Sequence, residues 1–295
     1  MCALAGVSRS GFYRYWQASH PKQADRAVRD QVQQVALEHR FYGYRRVCHE
    51  LKRRGVAVNA KRVLRLMRED NLLCLRGRGF VPPTTDARHT WRNWPNLARG
   101  LITQTINELW VADITYVRLN EEFVFVAVVL DAHSRRVIGW CLARHLGAHM
   151  AIAALQMALA ARTPQPGMIH HSDRGVQYAC SEYLTLLAEH SIQPSMSRPG
   201  NPYDNAKAES FMKTLKREQV RGNRWRDLDA LRADLATFFE VTYNHRRLHS
   251  ALGYQPPAEF ELACAAQAVS PGTAGARSAS PQTPLPGVSS IQTCP

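Results

Sequence analysis

Hydrophobic residues recur at helical spacing in segment 23–40, where Ala24, Val28, Val32 and Val35 fall three or four positions apart. This spacing is typical of one face of an amphipathic helix. The segment therefore predicts a helix that packs against the residues that follow it.

Two more helices are predicted between residues 44 and 70. The first runs from Tyr44 to Arg54 and is ended by Gly55, and Asn59 can cap the second, which runs from Ala60 to Asp70. The expected inner face of this last helix consists of Val63, Leu64 and Met67. Two helices joined by a short turn suggest a helix-turn-helix. The alternative is a three-helix bundle with a basic exterior.

From residue 109 onward the pattern becomes that of strands. Leu109–Leu119 alternates, and Phe123–Leu130 is a continuous apolar run, which predicts a central strand buried on both faces. A third strand is expected at Arg136–Ala143. The elements expected after it are a helix at 150–161, a strand at 168–171, a helix near 180–190, a strand at 192–196 and helices at about 205–220 and 228–245. This order indicates a mixed α/β sheet.

These patterns divide the chain into five segments. Segment 1–22 is either the back half of a helix-turn-helix whose front helix is missing or a docking helix. Segment 265–295 carries one charged residue, Arg277, and is rich in Ser, Pro, Gly, Thr and Ala, so we expect disorder. The remaining segments are a helix-turn-helix domain at 23–80, a basic linker at 81–101 with anchoring tryptophans at 91 and 94, and a catalytic core at 102–264.

Charge is concentrated in the first third of the chain. The net charge is +14, and residues 1–100 hold 20 basic and 7 acidic residues, against 18 and 17 in the remainder. Such a block is typical of a surface that binds a polyanion, usually nucleic acid. The alternative is an ordinary solvated surface.

Composition argues against several other classes of protein. Apolar residues make up 45% of the 295 residues, which is ordinary for a globular protein. The longest apolar run has eight residues, 123–130, whereas a membrane helix needs about 20, so no membrane association is expected. The seven cysteines include no Cys-x-x-Cys pair, which fits a reducing, cytoplasmic location better than a disulfide framework.

Three acidic residues, Asp113, Asp173 and Glu209, are candidates for a functional site. Asp113 lies inside the predicted strand W-V-A-D-I-T-Y, although aspartate is disfavoured in strand interiors. Asp173 ends a strand in H-H-S-D-R-G-V-Q-Y, and Glu209 lies on a helix in P-Y-D-N-A-K-A-E-S-F. The 35 residues between Asp173 and Glu209 allow a helix, a strand and a return loop, so the last helix could bring Glu209 beside the two aspartates.

Clustered carboxylates repel one another unless cations are bound. Hard oxygen ligands suit Mg²⁺ or Mn²⁺. Two such ions about 3.5–4 Å apart can hold both oxygens of an in-line phosphoryl displacement. We therefore expect Asp113, Asp173 and Glu209 to be both metal ligands and catalytic residues.

Basic residues at helical spacing are candidate DNA contacts. Lys216 lies seven residues after Glu209 and Lys213 four after it, so both share roughly its face of the helix. On the third N-terminal helix, cations suited to phosphates and base edges are expected to project outward: Lys61, Arg62, Arg65 and Arg68.

Other polar residues are interpreted as structural. Asp131 fits a turn and Asp204 fits a helix N-cap. His170 and His171 could ligate a metal, but they have no partner at zinc-finger spacing, so a structural role at the strand end is favoured.

Taken together, the motifs around Asp113, Asp173 and Glu209, with Lys216 and the sequence Y-N-H-R-R-L-H-S-A-L-G-Y-Q-P-P at 243–257, resemble the integrase-core transposases of bacterial insertion sequences. The resemblance covers about residues 35–262 and is to the second-reading-frame (OrfB) type. It implies a ribonuclease-H-like core, as in retroviral integrases, and a catalytic Asp-Asp-Glu triad at Asp113, Asp173 and Glu209. Segment 40–95 is similar to the helix-turn-helix that precedes this core.

Two features differ from related integrases. Retroviral integrases begin with a His-His-Cys-Cys zinc domain, whereas His39, Cys48, His49 and Cys74 lack that order and spacing, so no zinc is expected. Met1 also falls inside an apparent domain, which suggests that the chain is part of a longer frameshifted product.

The resulting hypothesis is a DNA transposase that cleaves and joins double-stranded DNA at element ends and target, with Mg²⁺ or Mn²⁺. A first-frame protein or fusion and a second copy of the chain are the expected partners. The alternatives are a non-catalytic DNA-binding regulator and a ribonuclease that cleaves RNA–DNA hybrids. By residue type, Tyr243, Asn244, Arg247 and His249 could either order the core or touch DNA.

Overall fold

The computed structural model describes residues 25–73, 94–198 and 201–269, together with a few positions before residue 14. The predictions for segment 1–22, for most of the linker at 81–101 and for the tail beyond residue 269 lie outside these residues. The described chain contains a small helical unit followed by a mixed α/β core.

Three helices form the N-terminal unit: α1 (Arg26–Glu38), α2 (Tyr44–Arg53) and α3 (Ala60–Glu69). The predicted cap is confirmed, since the Asn59 side chain accepts a hydrogen bond of 2.8 Å from the Lys61 amide. Val32 and Val35 are buried as expected. The prediction for the inner face of α3 is wrong at one position. Leu66 is fully buried, whereas Leu64, which is expected to be buried, is only partly so.

Five strands form one sheet in the order β3-β2-β1-β4-β5. Their bounds are β1 (Leu109–Arg118), β2 (Phe123–Asp131), β3 (Val137–Ala143), β4 (Ile169–Ser172) and β5 (Gln193–Met196). The first three strands are antiparallel, and β4 and β5 run parallel to β1. The predicted mixed sheet is confirmed, and its order and directions are those of a ribonuclease-H-like core.

The sheet separates two hydrophobic layers. Alternate residues of β2 belong to different layers: Val126 and Val128 to one, Ala127 and Val129 to the other. This two-sided burial explains why β2 reads as an unbroken apolar run. On the second layer α4 (Ala148–Ala161) packs closely over Gly139 of β3, where a Cβ atom would stand 2.1 Å from the Ala154 carbonyl oxygen.

The remaining helices are α5 (Val176–Ala179), α6 (Ser181–Glu189), α7 (Ala206–Leu215), α8 (Leu228–Thr237) and α9 (Pro257–Val269). Two of them continue as π-helix, α7 over Lys216–Val220 and α8 over Phe238–Arg246. The predicted tail begins at residue 265. Residues 265–269 are instead the end of α9. Buried Glu261 attaches α9 to the core by accepting hydrogen bonds from Ser134, Arg136 and Arg162.

The helical unit packs on the core through the segment that follows α8. Leu248 is fully buried in the hydrophobic cluster of α1–α3, and Tyr254 stacks on His49 at 3.7 Å. The Tyr42 hydroxyl accepts a hydrogen bond of 2.9 Å from the Leu248 amide. Arg53 donates two hydrogen bonds to Glu259. The 243–257 motif therefore forms the junction between the two units.

The end of the predicted linker is part of the core. Trp94 packs against one hydrophobic layer, and the Leu97 amide donates a hydrogen bond of 2.8 Å to the Ser195 hydroxyl of β5. Among the described residues, no helix combines the length and the apolar character that crossing a membrane requires.

Replacing Tyr42 with Phe should loosen this junction. The change leaves the buried Leu248 amide without its acceptor, which costs about 1–3 kcal/mol of unfolding free energy. Urea denaturation measures the loss. Tyr44→Phe is the matched control, because the Tyr44 hydroxyl forms no hydrogen bond with any residue that the structure describes. An equal loss in both variants would contradict the role of the Tyr42 bond.

Candidate active site

Strand register brings the two predicted aspartates side by side. In the parallel pair of β1 and β4, Val111 lies opposite His171. Asp113 and Asp173 each follow two residues later, so both lie at the same level on the same face of neighbouring strands, which are about 4.8 Å apart. The sheet therefore places these carboxylates next to each other.

Asp173 is fixed by the turn that leaves β4. Its Oδ1 accepts a hydrogen bond of 3.0 Å from the Gly175 amide. A Cβ atom at position 175 would lie 3.1 Å from this oxygen and 2.7 Å from the Gln177 side chain. The glycine thus allows the close approach that orients the carboxylate.

Two contacts hold α7, which carries Glu209, along β1. At its start, the Asn205 amide group donates a hydrogen bond of 2.9 Å to the carbonyl oxygen of Ala112, the neighbour of Asp113. Beyond its end, the Lys216 ammonium lies 4.7 Å from the centre of the Tyr116 ring. Along the helix, Glu209 lies between Asn205 and Lys216. Along β1, Asp113 lies between their partners Ala112 and Tyr116. Sequence reasoning missed Asn205 and Tyr116, although Asn205 belongs to the D-N-A-K-A-E motif.

The pKa of Asp113 reflects the nearby charges of Asp173 and Glu209. Burial, with the charges of Asp173 and Glu209, raises its pKa to about 7 against the opposing effects of the Ile114 amide and Lys216. Burial likewise raises the pKa of Tyr178 well above its usual value, with contributions from both aspartates. Within the described ranges, the buried Tyr178 hydroxyl has no hydrogen-bond partner.

The donor set suits a hard divalent cation, which would offset the repulsion that raises the pKa of Asp113. As they stand, no three His, Cys, Asp or Glu side chains within the described ranges are grouped tightly enough to hold an ion. Glu209 instead accepts a hydrogen bond of 3.1 Å from Lys213. Binding would thus require Glu209 to exchange Lys213 for the cation.

A cavity of about 390 Å³ opens beside Asp173. Its walls include Ile114, Tyr116 and Phe125 from the sheet and Tyr178 from α5. The carboxylates therefore lie at the edge of a space large enough for part of a substrate.

Three family models match the chain. An integrase core domain model matches residues 104–202, a second integrase core domain model matches 190–257, and an HTH-like domain model matches 22–80. The chain is 36% identical to an "insertion element IS600 uncharacterized 31 kDa protein" of Shigella sonnei, over 88% of this chain and 97% of that protein. It is 34% identical to "transposase InsF for insertion sequence IS3A" of Escherichia coli K12, over 88% and 92%.

The chain belongs to the integrase-core transposases of bacterial insertion sequences. It is an enzyme of the Asp-Asp-Glu transposase and integrase class. Integrase cores depend on divalent metal ions.

Solved structures with similar folds include the catalytic core of BIV integrase, with 19% identity, a TM-score of 0.42 and coverage of 56% of this chain and 99% of that one. The HTLV-2 integrase core in complex with magnesium has 16% identity, a TM-score of 0.40 and coverage of 52% and 96%.

Two of the four predicted DNA contacts on α3 of the transposase are engaged within the protein. Arg62 and Arg65 both bind the buried Asp25, at 2.5 and 2.7 Å, so their side chains do not project freely as expected. Lys61 and Arg68 are exposed, and within the described chain neither side chain has a carboxylate partner.

The contacts of Asp131 agree with its structural interpretation, whereas the predicted N-cap role of Asp204 is wrong. Asp131 is buried in its turn and accepts hydrogen bonds from the amides of Asn107, His133 and Ser134. Asp204 is not an N-cap, since Asn201 caps the short 3₁₀ helix at Pro202–Asn205. Asp204 instead binds Arg198, which holds the pKa of Asp204 well below its usual range.

Both strand-end histidines are buried and hydrogen-bonded. His170 Nε2 lies 3.0 Å from the Tyr183 hydroxyl, and His171 is bound by the Ser195 and Ser197 hydroxyls at 2.8 and 3.0 Å. These contacts agree with a structural role. Burial lowers the pKa of His170 to about 3 and that of His171 to about 4.

The 243–249 motif is internal to the fold. The Asn244 side chain accepts from the Val137 amide and donates to the Val137 carbonyl oxygen. Arg247 is buried and binds Glu218 at 2.8 Å. Of the two roles left open by the sequence, ordering the core is the one that these contacts support.

Acid should destabilise the transposase through the two histidines. Unfolded histidine titrates near pH 6.5, whereas His170 and His171 stay neutral in the folded state until about pH 4. As the pH falls from about 6.5 to 4, the unfolded state binds more protons, so the unfolding free energy should fall by up to about 1.4 kcal/mol per pH unit for each histidine.

Urea denaturation across this pH range measures the effect. His171→Gln should flatten the dependence, and His190→Gln, which changes an exposed ring, should leave it unchanged. Equal slopes in the wild type and the His171 variant would contradict the assignment.

Proposed function

We propose that Asp113, Asp173 and Glu209 hold Mg²⁺, or Mn²⁺ in its place, and that these residues catalyse DNA cleavage and strand transfer. The observation that carries the proposal is the β1–β4 register, which sets Asp113 beside Asp173. The raised pKa of Asp113, about 7, follows from burial and from the charges of Asp173 and Glu209. Such a charge arrangement is costly without a cation. When bound, the metal polarises the phosphoryl oxygen and activates the attacking hydroxyl.

The chain's own residues then have distinct tasks. Asp113 and Asp173, fixed by strand register and by the Gly175 amide, set the position of the ion site, and Glu209 completes it from α7. Lys216 is half-buried on the Tyr116 ring beside Asp113, where its ammonium can hold a phosphate of DNA. Lys213 is released for the same purpose when Glu209 turns to the cation.

Two displacements account for transposition. In the first, water attacks a phosphodiester at the element end, and the 3′-oxygen leaves as a hydroxyl. In the second, that 3′-hydroxyl attacks a target phosphodiester, so that a new bond forms as the target strand is broken. Both are in-line phosphoryl transfers that the same carboxylates can serve.

The basic N-terminal unit supplies DNA affinity. Lys61 and Arg68 are its exposed contacts on α3, and Arg62 and Arg65 retain side chains that are 38% and 46% exposed despite their pairing with Asp25. A first-frame protein or fusion and a second copy of the chain complete the assembly, because two element ends must be joined.

Asp173→Asn should abolish both cleavage and strand transfer, because the amide cannot contribute the charge that the cation needs. DNA binding should remain close to that of the wild type. Radiolabelled duplex ends incubated with Mg²⁺ report cleavage and joining, and gel shift reports binding. Asp229→Asn, an exposed change on α8, is the control.

Strand transfer retained by the Asp173 variant would refute the assignment. An RNA–DNA hybrid serves as the second substrate, and preferential cleavage of the hybrid would favour a ribonuclease.

DNA affinity should fall steeply with salt. If the N-terminal unit neutralises about six phosphates, the log–log slope of affinity against salt is roughly −5. Replacing Lys61 and Arg68 with Gln should bring the slope closer to zero by about 2. Fluorescence anisotropy measures both slopes, and a wild-type slope near zero would contradict phosphate binding by this unit.

A further inference from the structure

A second cavity, of about 350 Å³, lies between the helical unit and the core. It is distinct from the cavity beside Asp173, with which it shares no lining residue. Six cationic side chains from different parts of the chain line it: Arg46, Arg135, Lys207, Lys213, Arg217 and Arg247. Of these, Lys213 is paired with Glu209. We call this cavity the junction pocket.

The junction pocket carries more positive charge than the carboxylates paired with its cations can neutralise. Glu218 binds both Arg217 and Arg247, at 2.5 and 2.8 Å. Within the described ranges, Arg46, Arg135 and Lys207 form no ion pair with a carboxylate. Arg46 lies over the Tyr42 ring at 5.6 Å instead.

The one carboxylate that lines the pocket is already occupied. Asp131 is fully buried: its Oδ1 accepts hydrogen bonds from the His133 and Ser134 amides of its own turn, and its Oδ2 accepts one from the Asn107 amide. Among the residues that the structure describes, the buried Nε atom of Arg217 has no hydrogen-bond acceptor. Donors therefore outnumber acceptors in this pocket.

The neighbouring groups respond to this excess of charge. Burial, together with the charges of Arg247, Arg46 and Arg135, lowers the pKa of His249 to about 2. Burial and the charge of Arg135 lower the pKa of Lys207. Partly desolvated cations that repel one another are stabilised by a bound anion.

The backbone at Arg135 also departs from its ordinary range. Its φ angle is +64°, in the left-handed region that favours glycine or asparagine. An arginine that lines the pocket is nevertheless placed there, and such outliers cluster at ligand sites.

From the free cations, the occupied carboxylate and the buried unpaired donor, we infer that the junction pocket is a phosphate-binding site and that its ligand is a backbone phosphate of bound DNA. The identification of DNA as the source of the phosphate rests on the proposed function. The phosphate-binding chemistry of the pocket does not. Arginine and lysine donors arranged in this way suit phosphate oxygens.

Geometry permits one duplex to reach both sites. Asp131 pairs with Trp110, three residues from Asp113 along β1, which is about 10 Å. One DNA strand carries a phosphate about every 3.4 Å along the helix axis, so a few nucleotides span this distance. Helix α7 contributes Glu209 to the carboxylates and Lys207 to the pocket.

The test compares two double variants with equal loss of charge. Arg135→Gln with Lys207→Gln removes two unpaired cations of the pocket. Arg144→Gln with Arg226→Gln removes two exposed arginines elsewhere, whose side chains are 56% and 90% exposed. Melting temperatures establish that both variants fold. Each is measured by anisotropy for the salt dependence of duplex DNA binding and by calorimetry for binding of inorganic triphosphate.

We expect the pocket variant alone to bring the log–log salt slope closer to zero by about 2. Loss of triphosphate binding with an unchanged DNA slope would support the phosphate site and assign it to a free phosphate ligand. A pocket variant that matches the control in both measurements would overturn the inference. Neither readout depends on catalysis, so a failure of the Asp173 test leaves the triphosphate result intact.

Discussion

The fold holds a carboxylate inside a β-sheet, and the arrangement of the core follows from that constraint. Asp113 is interior to β1, its neighbours Ala112 and Val111 are buried, and its pKa is raised to about 7. Parallel pairing with β4 brings a second negative charge to the same level. Only a scaffold fixed by many apolar contacts can keep such groups together, because their repulsion opposes folding.

Helix α7 packs along the strand that carries Asp113 and is held there at both ends. Asn205 ties its beginning to β1, and Lys216 closes over Tyr116 at its end. Glu209 on this helix serves the carboxylate site, while Lys207 lines the junction pocket. Negative charge that suits a cation and positive charge that suits a phosphate are thus carried on one element, an arrangement fit for an enzyme that acts on a polyanion with a divalent metal.

The junction between the units is built from the 243–257 motif. Leu248 enters the core of the helical unit, and Arg247 lies buried against Glu218. One short segment thus holds the helical unit through Leu248 and lines the junction pocket through Arg247, so a phosphate bound in the pocket would be physically linked to domain packing.

The sequence by itself determined the secondary structure that local pattern controls. The apolar run of β2, the Asn59 cap and the mixed order of elements all follow from periodicity and capping. The motifs around three carboxylates in unusual positions indicated the family and, with it, the class of chemistry. Tertiary structure alone decided which groups meet. The β1–β4 register aligns Asp113 with Asp173, Asp25 engages Arg62 and Arg65, and distant segments converge on the junction pocket. Such contacts join residues far apart in sequence, and no local periodicity encodes the register or the pairing that creates them.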